Sequence, residues 1–247
     1  MTAELRPVVL ITGAARRVGS VIARRLHASG YDVALHCRHS RIELDGLIAE
    51  LEIQRADSTL ALQADLADVE NLPALIDAVI TRFGRLDGLI NNASSFYPTA
   101  IGTTTPAQWD ELFASNARAP FFLAQAAAPH LKSVQGNIVN LVDIYAERPL
   151  PGHTVYCMAK AALAMLTYSL AKELGPEVRV NGVAPGAVMW PEQGKEYADR
   201  EELVKRTALK RAGSPDDVAG AVLYLLRDAG FVTGQILRVD GGRTLVI

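Results

Sequence analysis

The chain has 247 residues, 49% of them hydrophobic and 21% charged, with a formal net charge of -2. That size and apolar share suit one domain with a sizeable core, and the near-neutral balance leaves no broad basic face for nucleic acid or an anionic membrane. Two cysteines, Cys37 and Cys157, are too few for a disulfide framework or a four-thiolate metal site, which fits a reducing cytosol.

The opening MTAELRPVVLITG has an apolar run too short for a signal sequence, and no apolar window of membrane-spanning length is expected further on, so a cytoplasmic protein is expected. Val8 to Ile11 reads as a strand closed by Thr12 and Gly13, and Val18, Val21, Ile22 and Leu26 follow with helical spacing. Gly13 permits a tight turn, Gly19 lets the helix approach, and the helix N-terminus then suits a pyrophosphate, with Arg16, Arg17 and Val18 as further candidate contacts. Arg17 occupies the place of the middle glycine of a dinucleotide turn. Two readings stand: a turn with surface arginines, or a guanidinium that clamps phosphate or substrate.

The second strand, Tyr31 to Leu35, runs into HCRHS. An NAD-specific fold places an acid here for the ribose 2'-hydroxyl, whereas His36, Arg38, His39 and Ser40 offer donors and positive charge. That set suits a 2'-phosphate and therefore NADPH; the plainer reading is a solvated polar turn. Leu60 to Ala64 is a third strand, followed by Asp65, placed to meet an adenine amino group, and Leu66. A helix over Leu72 to Phe83 and a strand over Leu86 to Ile90 complete an alternation of strands and helices. The alternation predicts an α/β fold, a single-domain Rossmann-type doubly wound parallel sheet with helices on both faces.

After the fourth strand, NNASSFYPT brings small residues, Asn92, Ala93 and Ser94, whose backbone can pass close to a cofactor. Phe96 and Tyr97 stand exposed on this loop, either as loop packing or as a stacking surface for a flat substrate. Trp109 to His130 is a long helix carrying Asn116, with Pro120 bending or interrupting it and Trp109 as packing.

The run GNIVNLV is a buried strand ending at Asp143, so a carboxyl group sits at a strand's carboxyl end, where open α/β sheets bind ligands. A helix from about His153 to Leu174 carries Tyr156 and Lys160 four positions apart, on one face at about 5–6 Å. A cation beside a phenol favours the phenolate, which makes Tyr156 a candidate acid and Lys160 its tuner. The pair alone also reads as a solvated helix face; Asp143 is what makes three titratable groups converge.

A strand over Val178 to Val183 ends in Pro185, Gly186 and Val188, whose backbone amides suit a carboxamide. Residues 189–212, with Trp190 near their start, read as a lid over the substrate. Ser214 and Pro215 cap a helix running to Leu226, and a last strand, Gln235 to Val239, ends in DGG. The five histidines show no ligand spacing, so no metal is expected.

The order and spacing of these pieces, TG-x5-G at 12–19, NNA at 91–93, Asn116, Tyr156-x3-Lys160, Pro185-Gly186 and VDGG at 239–242, resemble the short-chain dehydrogenase/reductases over nearly the whole chain. Arg17, HCRHS, NNASSFYPT, Asp143 and YCMAKAAL are similar to the pteridine reductase subgroup, whereas most of the family has a serine where this chain has Asp143. The resemblance implies that NADPH delivers hydride to a pterin carbon while Tyr156 and Asp143 manage the proton. It implies further that Lys160 binds the ribose hydroxyls and Asn116 supports a proton relay. Phe96 would stack the pterin, with Arg17, Ser94 and Tyr97 lining the pocket. It also implies a homotetramer. The substrate expected is a dihydropterin, with oxidised pterin and dihydrofolate as candidates. Two other readings compete: a ketone or 3-oxoacyl reductase of the same fold, and a non-catalytic NADP(H)-binding regulator.

Overall fold

The computed structural model describes residues 6–188 and 204–245. Its frame is one seven-stranded sheet, all of it parallel. The strands are β1 (Val8–Ile11), β2 (Asp32–Cys37), β3 (Thr59–Gln63), β4 (Gly88–Asn91), β5 (Asn137–Leu141), β6 (Arg179–Pro185) and β7 (Ile236–Val239). They lie in the order β3-β2-β1-β4-β5-β6-β7, so the chain winds outward from β1 in one direction and then, from β4, in the other. Such a reversal leaves a crevice at the strands' carboxyl ends between β1 and β4.

β1 is aliphatic at every position because both of its faces are covered. Val9 and Ile11 point into a cluster with Ile22 and Leu26 of α1 (Arg17–Ala28) and Val218, Val222 and Leu225 of α7 (Pro215–Arg227). Val8 and Leu10 point the other way, against Leu72, Ile76 and Val79 of α3 (Leu72–Phe83) and Leu123 and Leu131 of α5 (Ala119–Ser133). Each fully buried aliphatic side chain of this kind contributes about 1.5–3 kcal/mol, which is what fixes the sheet between its two helical layers. A third cluster, with Leu112, Val142, Ile144, Val155 and Leu163, gathers beside Tyr156 at the carboxyl end of β5.

Several boundaries differ from the sequence reading for local reasons. β2 begins one residue after Tyr31 and takes His36 and Cys37 into the sheet, because β3 pairs with it as far as Cys37. The long helix expected over Trp109 to His130 is two helices, α4 (Pro106–Phe113) and α5, joined by a wide π turn at Ala114–Arg118. The break is this turn; Pro120 lies in the first turn of α5, where a missing N–H costs nothing. Trp109 is partly exposed and stacks on Phe113 with ring centroids 4.6 Å apart. A helix that the sequence reading did not assign, α2 (Arg41–Gln54), buries Leu44, Leu47 and Leu51 but leaves Ile42 and Ile53 exposed, which blurs its apolar stripe.

Ser214 caps α7 through a reciprocal bond pair with Asp217 and Pro215 occupies the first turn, as its sequence predicts. The helix α6 (Thr154–Leu174) is long and apolar enough, by length and composition, to cross a membrane, contrary to the expectation that no such window occurs. It is a core helix here: 56% of that window is buried, and Lys160 lies within it.

Candidate active site

The carboxyl ends of β1, β2, β4, β5 and β6 border a cleft of about 550 Å³. Its floor is the turn after β1. Gly13 has φ +63, and a Cβ there would meet the Ala93 Cα at 2.9 Å; a Cβ at Gly19 would meet the Gly13 oxygen at 2.2 Å. Backbone therefore packs on backbone at this point, and only glycine fits. Side chains brace the turn from below. The Thr12 hydroxyl accepts from the Asn92 and Ala93 amides at 3.0 Å each, and Asn92 Nδ2 donates to the Thr12 and Gly13 carbonyls at 2.8 and 3.0 Å.

Arg17 adopts φ 56, a left-handed conformation that costs a non-glycine residue of order 1 kcal/mol or more. Held there, its side chain lines the cleft, together with Arg16 and Val18. This is the region a middle glycine would occupy without strain, so the arginine is retained against a local penalty.

At the cleft's outer end, Arg38 and His39 are exposed and Ser40 is half-buried, and all three line the cavity. Asp65 and Leu66, following the neighbouring strand β3, line it too, with Asp65 Oδ1 accepting from the Ala67 amide at 2.9 Å. His36 departs from expectation. It is 1% exposed, its Nδ1 faces the Gly13 amide at 3.3 Å, and its Nε2 faces the Ala64 carbonyl at 3.1 Å. Burial lowers its pKa, so it is a neutral brace under the glycine turn and not a cation for phosphate. Pro185, Gly186 and Val188 line the opposite wall, with the Gly186 amide donating to the Val239 carbonyl at 2.9 Å.

The chemical groups meet where β5 ends and α6 begins. Tyr156 is 4% exposed, and its hydroxyl donates to Asp143 Oδ2 at 2.8 Å. Asp143 Oδ1 accepts from the Tyr145 amide at 2.9 Å, which pins the carboxyl at the strand end. Burial pushes the Asp143 pKa up; the bonds from Tyr145 and Tyr156 and the charges of Lys160 and Arg243 oppose it without prevailing.

Lys160, 3% exposed, donates to the Leu141 carbonyl at 2.8 Å and lies 5.8 Å from the centre of the Tyr156 ring. Burial pulls its pKa down to about 8, with the charge of Asp143 acting the other way. Asn116 sits in the π turn, fully buried. It donates to the Ser95 and Leu112 carbonyls at 2.9 Å each, and it accepts from the Ser94 hydroxyl at 2.7 Å. The π turn thus carries Asn116 towards the loop that lines the cleft, a placement often found for such turns at functional sites.

Phe96 and Tyr97 part company, and neither is as exposed as expected. Phe96 lines the cleft, edge-on to Tyr156 at 4.8 Å, and His153 stacks flat on one of its faces at 4.8 Å and 13°, leaving at most one face for a substrate. Tyr97 turns away. Its one hydroxyl proton is shared between the Gln108 carbonyl and Glu111, at 3.1 Å each, and it does not border the cavity, contrary to the expected substrate role. Among the lining residues that escaped the sequence reading are two with polar side chains next to the chemical groups, Tyr145, two positions past Asp143, and Arg243, directly after the last strand's DGG. The carboxyl-end rule applied to β7 would have pointed to Arg243. Of the expected lid, 189–203 and with them Trp190 lie outside the described residues, and none of 204–212 lines the cleft.

A parallel sheet with a glycine-floored crevice and a Tyr-Lys pair beside it defines a Rossmann-type oxidoreductase using a nicotinamide cofactor. A family profile described as enoyl-(acyl carrier protein) reductase matches residues 13–244, and the chain belongs to the short-chain dehydrogenase/reductase family. Pteridine reductase 1 of Leishmania tarentolae is 37% identical, with 99% of this chain and 98% of that protein aligned. A Streptomyces violaceoruber protein carrying the name ketoacyl reductase 2 of the granaticin polyketide synthase is 36% identical, over 97% of each chain. A 3-oxoacyl-[acyl-carrier-protein] reductase of Staphylococcus aureus is 33% identical, over 94% of this chain and 96% of that one.

Proposed function

We propose that the protein is an NADPH-dependent pteridine reductase. The observation that carries this reading is the 2.8 Å bond between Tyr156 and a carboxyl, Asp143, whose pKa burial raises. A carboxyl kept neutral is a proton donor, and a ring nitrogen beside a carbon that takes hydride needs one. A ketone needs only a hydrogen bond to its oxygen and a single acid, which Tyr156 alone provides.

The residues present fit the cofactor: the glycine floor admits a close-lying pyrophosphate, and no acid replaces Arg38, His39 and Ser40 where a ribose 2'-phosphate would lie. Bound NADPH would supply the hydride. Arg38, His39 and Ser40 would hold its 2'-phosphate; Lys160, with one donor on Leu141, keeps two for ribose hydroxyls. Phe96 would offer its uncovered face to a flat ring, Arg17 would reach its polar edge, and Tyr156 and Asp143 would pass a proton to nitrogen. The same reading expects an oligomer, and exposed Phe121, Met158, Met165 and Tyr168 on α5 and α6 support one.

The identities of the ketoacyl and 3-oxoacyl reductases favour a second reading, reduction of a ketone or 3-oxoacyl thioester. NADPH oxidation measured with dihydrobiopterin, dihydromonapterin, dihydrofolate, biopterin and two ketones separates the two. Turnover of the pterins is expected; turnover of ketones alone would replace the first reading with the second.

A further inference from the structure

Beyond Asp143 the cleft wall carries a cation that the chemistry above does not use. Arg243 begins the short turn Arg243–Leu245 that follows β7, lines the cleft, and places its guanidinium carbon 5.6 Å from the centre of the Tyr145 ring. Among the described residues its side chain has this ring as its neighbour and no hydrogen bond or ion pair. That is unlike Arg24, Arg41, Arg82, Arg227 and Arg238, each of which has a carboxylate partner. Tyr145 is 9% exposed, lines the same cleft, and its buried hydroxyl has no hydrogen-bond partner. The backbone amide of Tyr145 is bonded to Asp143, and the charge of Arg243 is felt at that carboxyl, so the pair belongs to the same end of the cleft as the proposed proton donor.

A guanidinium with its planar fork of donors unfilled matches the two oxygens of a carboxylate, and a phenol adds a further donor. A buried hydroxyl left without a partner is destabilising, a cost that a ligand group reaching it would recover. We propose that Arg243 and Tyr145 form a carboxylate-binding arm of the substrate site, selecting a pteridine whose ring substituent ends in a carboxylate over one with a neutral side chain. The inference rests on the pteridine reading above and narrows it to folate-like substrates. It also joins binding to chemistry. The charge of Arg243 pulls down the pKa of Asp143 against burial, and a bound carboxylate would offset that charge and help Asp143 keep its proton.

The test compares dihydrofolate, which carries carboxylates, with dihydrobiopterin, which carries none, in the parent enzyme and in Arg243→Gln, Arg243→Lys and Tyr145→Phe. Kinetics are followed by NADPH oxidation, and NADPH binding is titrated separately. Arg243→Gln should raise KM for dihydrofolate about tenfold or more, the equivalent of one charge-assisted hydrogen bond, while moving KM for dihydrobiopterin far less. Arg243→Lys should recover part of the loss, and Tyr145→Phe should shift the two substrates in the same unequal sense. Equal shifts for both pteridines, or none for dihydrofolate, would overturn the arm and leave the pteridine reading standing. Turnover of neither pteridine by the parent enzyme would remove that reading and this inference with it.

Discussion

The two ends of the cleft are built from different materials. At the cofactor end the shape is backbone: Gly13 and Gly19 bring chain segments within van der Waals distance, and Thr12, Asn92 and His36 brace the turn. The side chains that would distinguish one nicotinamide cofactor from another, Arg38 and His39, stand in solvent. At the chemical end the shape is side chain: Tyr156 and Lys160 are buried, and Asp143 and Lys160 have their proton affinities displaced by burial. Exposed charges act through a high-dielectric medium and discriminate modestly, whereas enclosed ones hold their protonation states firmly. On the proposed reading, the comparison teaches that recognition of the cofactor would be distributed over many weak contacts, while the reaction would depend on a few enclosed groups.

That contrast orders the expected effects of substitution. The largest belongs to the enclosed end. Tyr156→Phe keeps the ring packed against Phe96 but removes the proton, and should lower kcat about 10²–10⁴-fold with NADPH affinity nearly unchanged; a comparable fall in NADPH affinity would show that the ring's main task is structural. Asp143→Ser should reduce pterin turnover about a hundredfold and NADPH binding little, and equal pterin rates in variant and parent would remove the carboxyl from the chemistry. At the open end, Arg38→Asp replaces the proposed phosphate donor with a repelling charge and should weaken NADPH about 10–100-fold while helping NADH; an unchanged Michaelis constant for NADPH would refute the 2'-phosphate assignment. The smallest effect divides stability from binding. Arg17→Gly relieves a left-handed arginine and should raise the unfolding free energy by about 1 kcal/mol while weakening substrate; a loss of stability would mean that its contacts outweigh the strain.

The same division governs what could be read without coordinates. Strand and helix alternation was legible because both faces of the sheet are covered and the apolar runs are unbroken, and the Tyr156-Lys160 pair because helical spacing alone puts both on one face. The direction of a side chain at a strand end or in a loop was not. His36 continues β2 and so turns beneath the glycine floor, and Tyr97, one residue past a true lining residue, finds its partners on α4. α2 went unassigned because two exposed isoleucines break its stripe, and Arg243 because the carboxyl-end rule marks its position after β7 but the turn of residues 243–245, not any repeating pattern, aims its side chain into the cleft.

The protonation state of Asp143 is the point on which the account turns. Because its folded pKa is raised, the neutral carboxyl contributes stability that is fully present below the unfolded value of about 3.9 and is lost as pH rises through the folded value. Infrared difference spectroscopy of the parent protein against Asp143→Asn, taken across a pH titration, reads that carboxyl directly. A protonated C=O stretch that belongs to residue 143 and persists well above the ordinary carboxylate range is the predicted result. An Asp143 that ionises at or below about 3.9 would contradict the assignment of this group as proton donor.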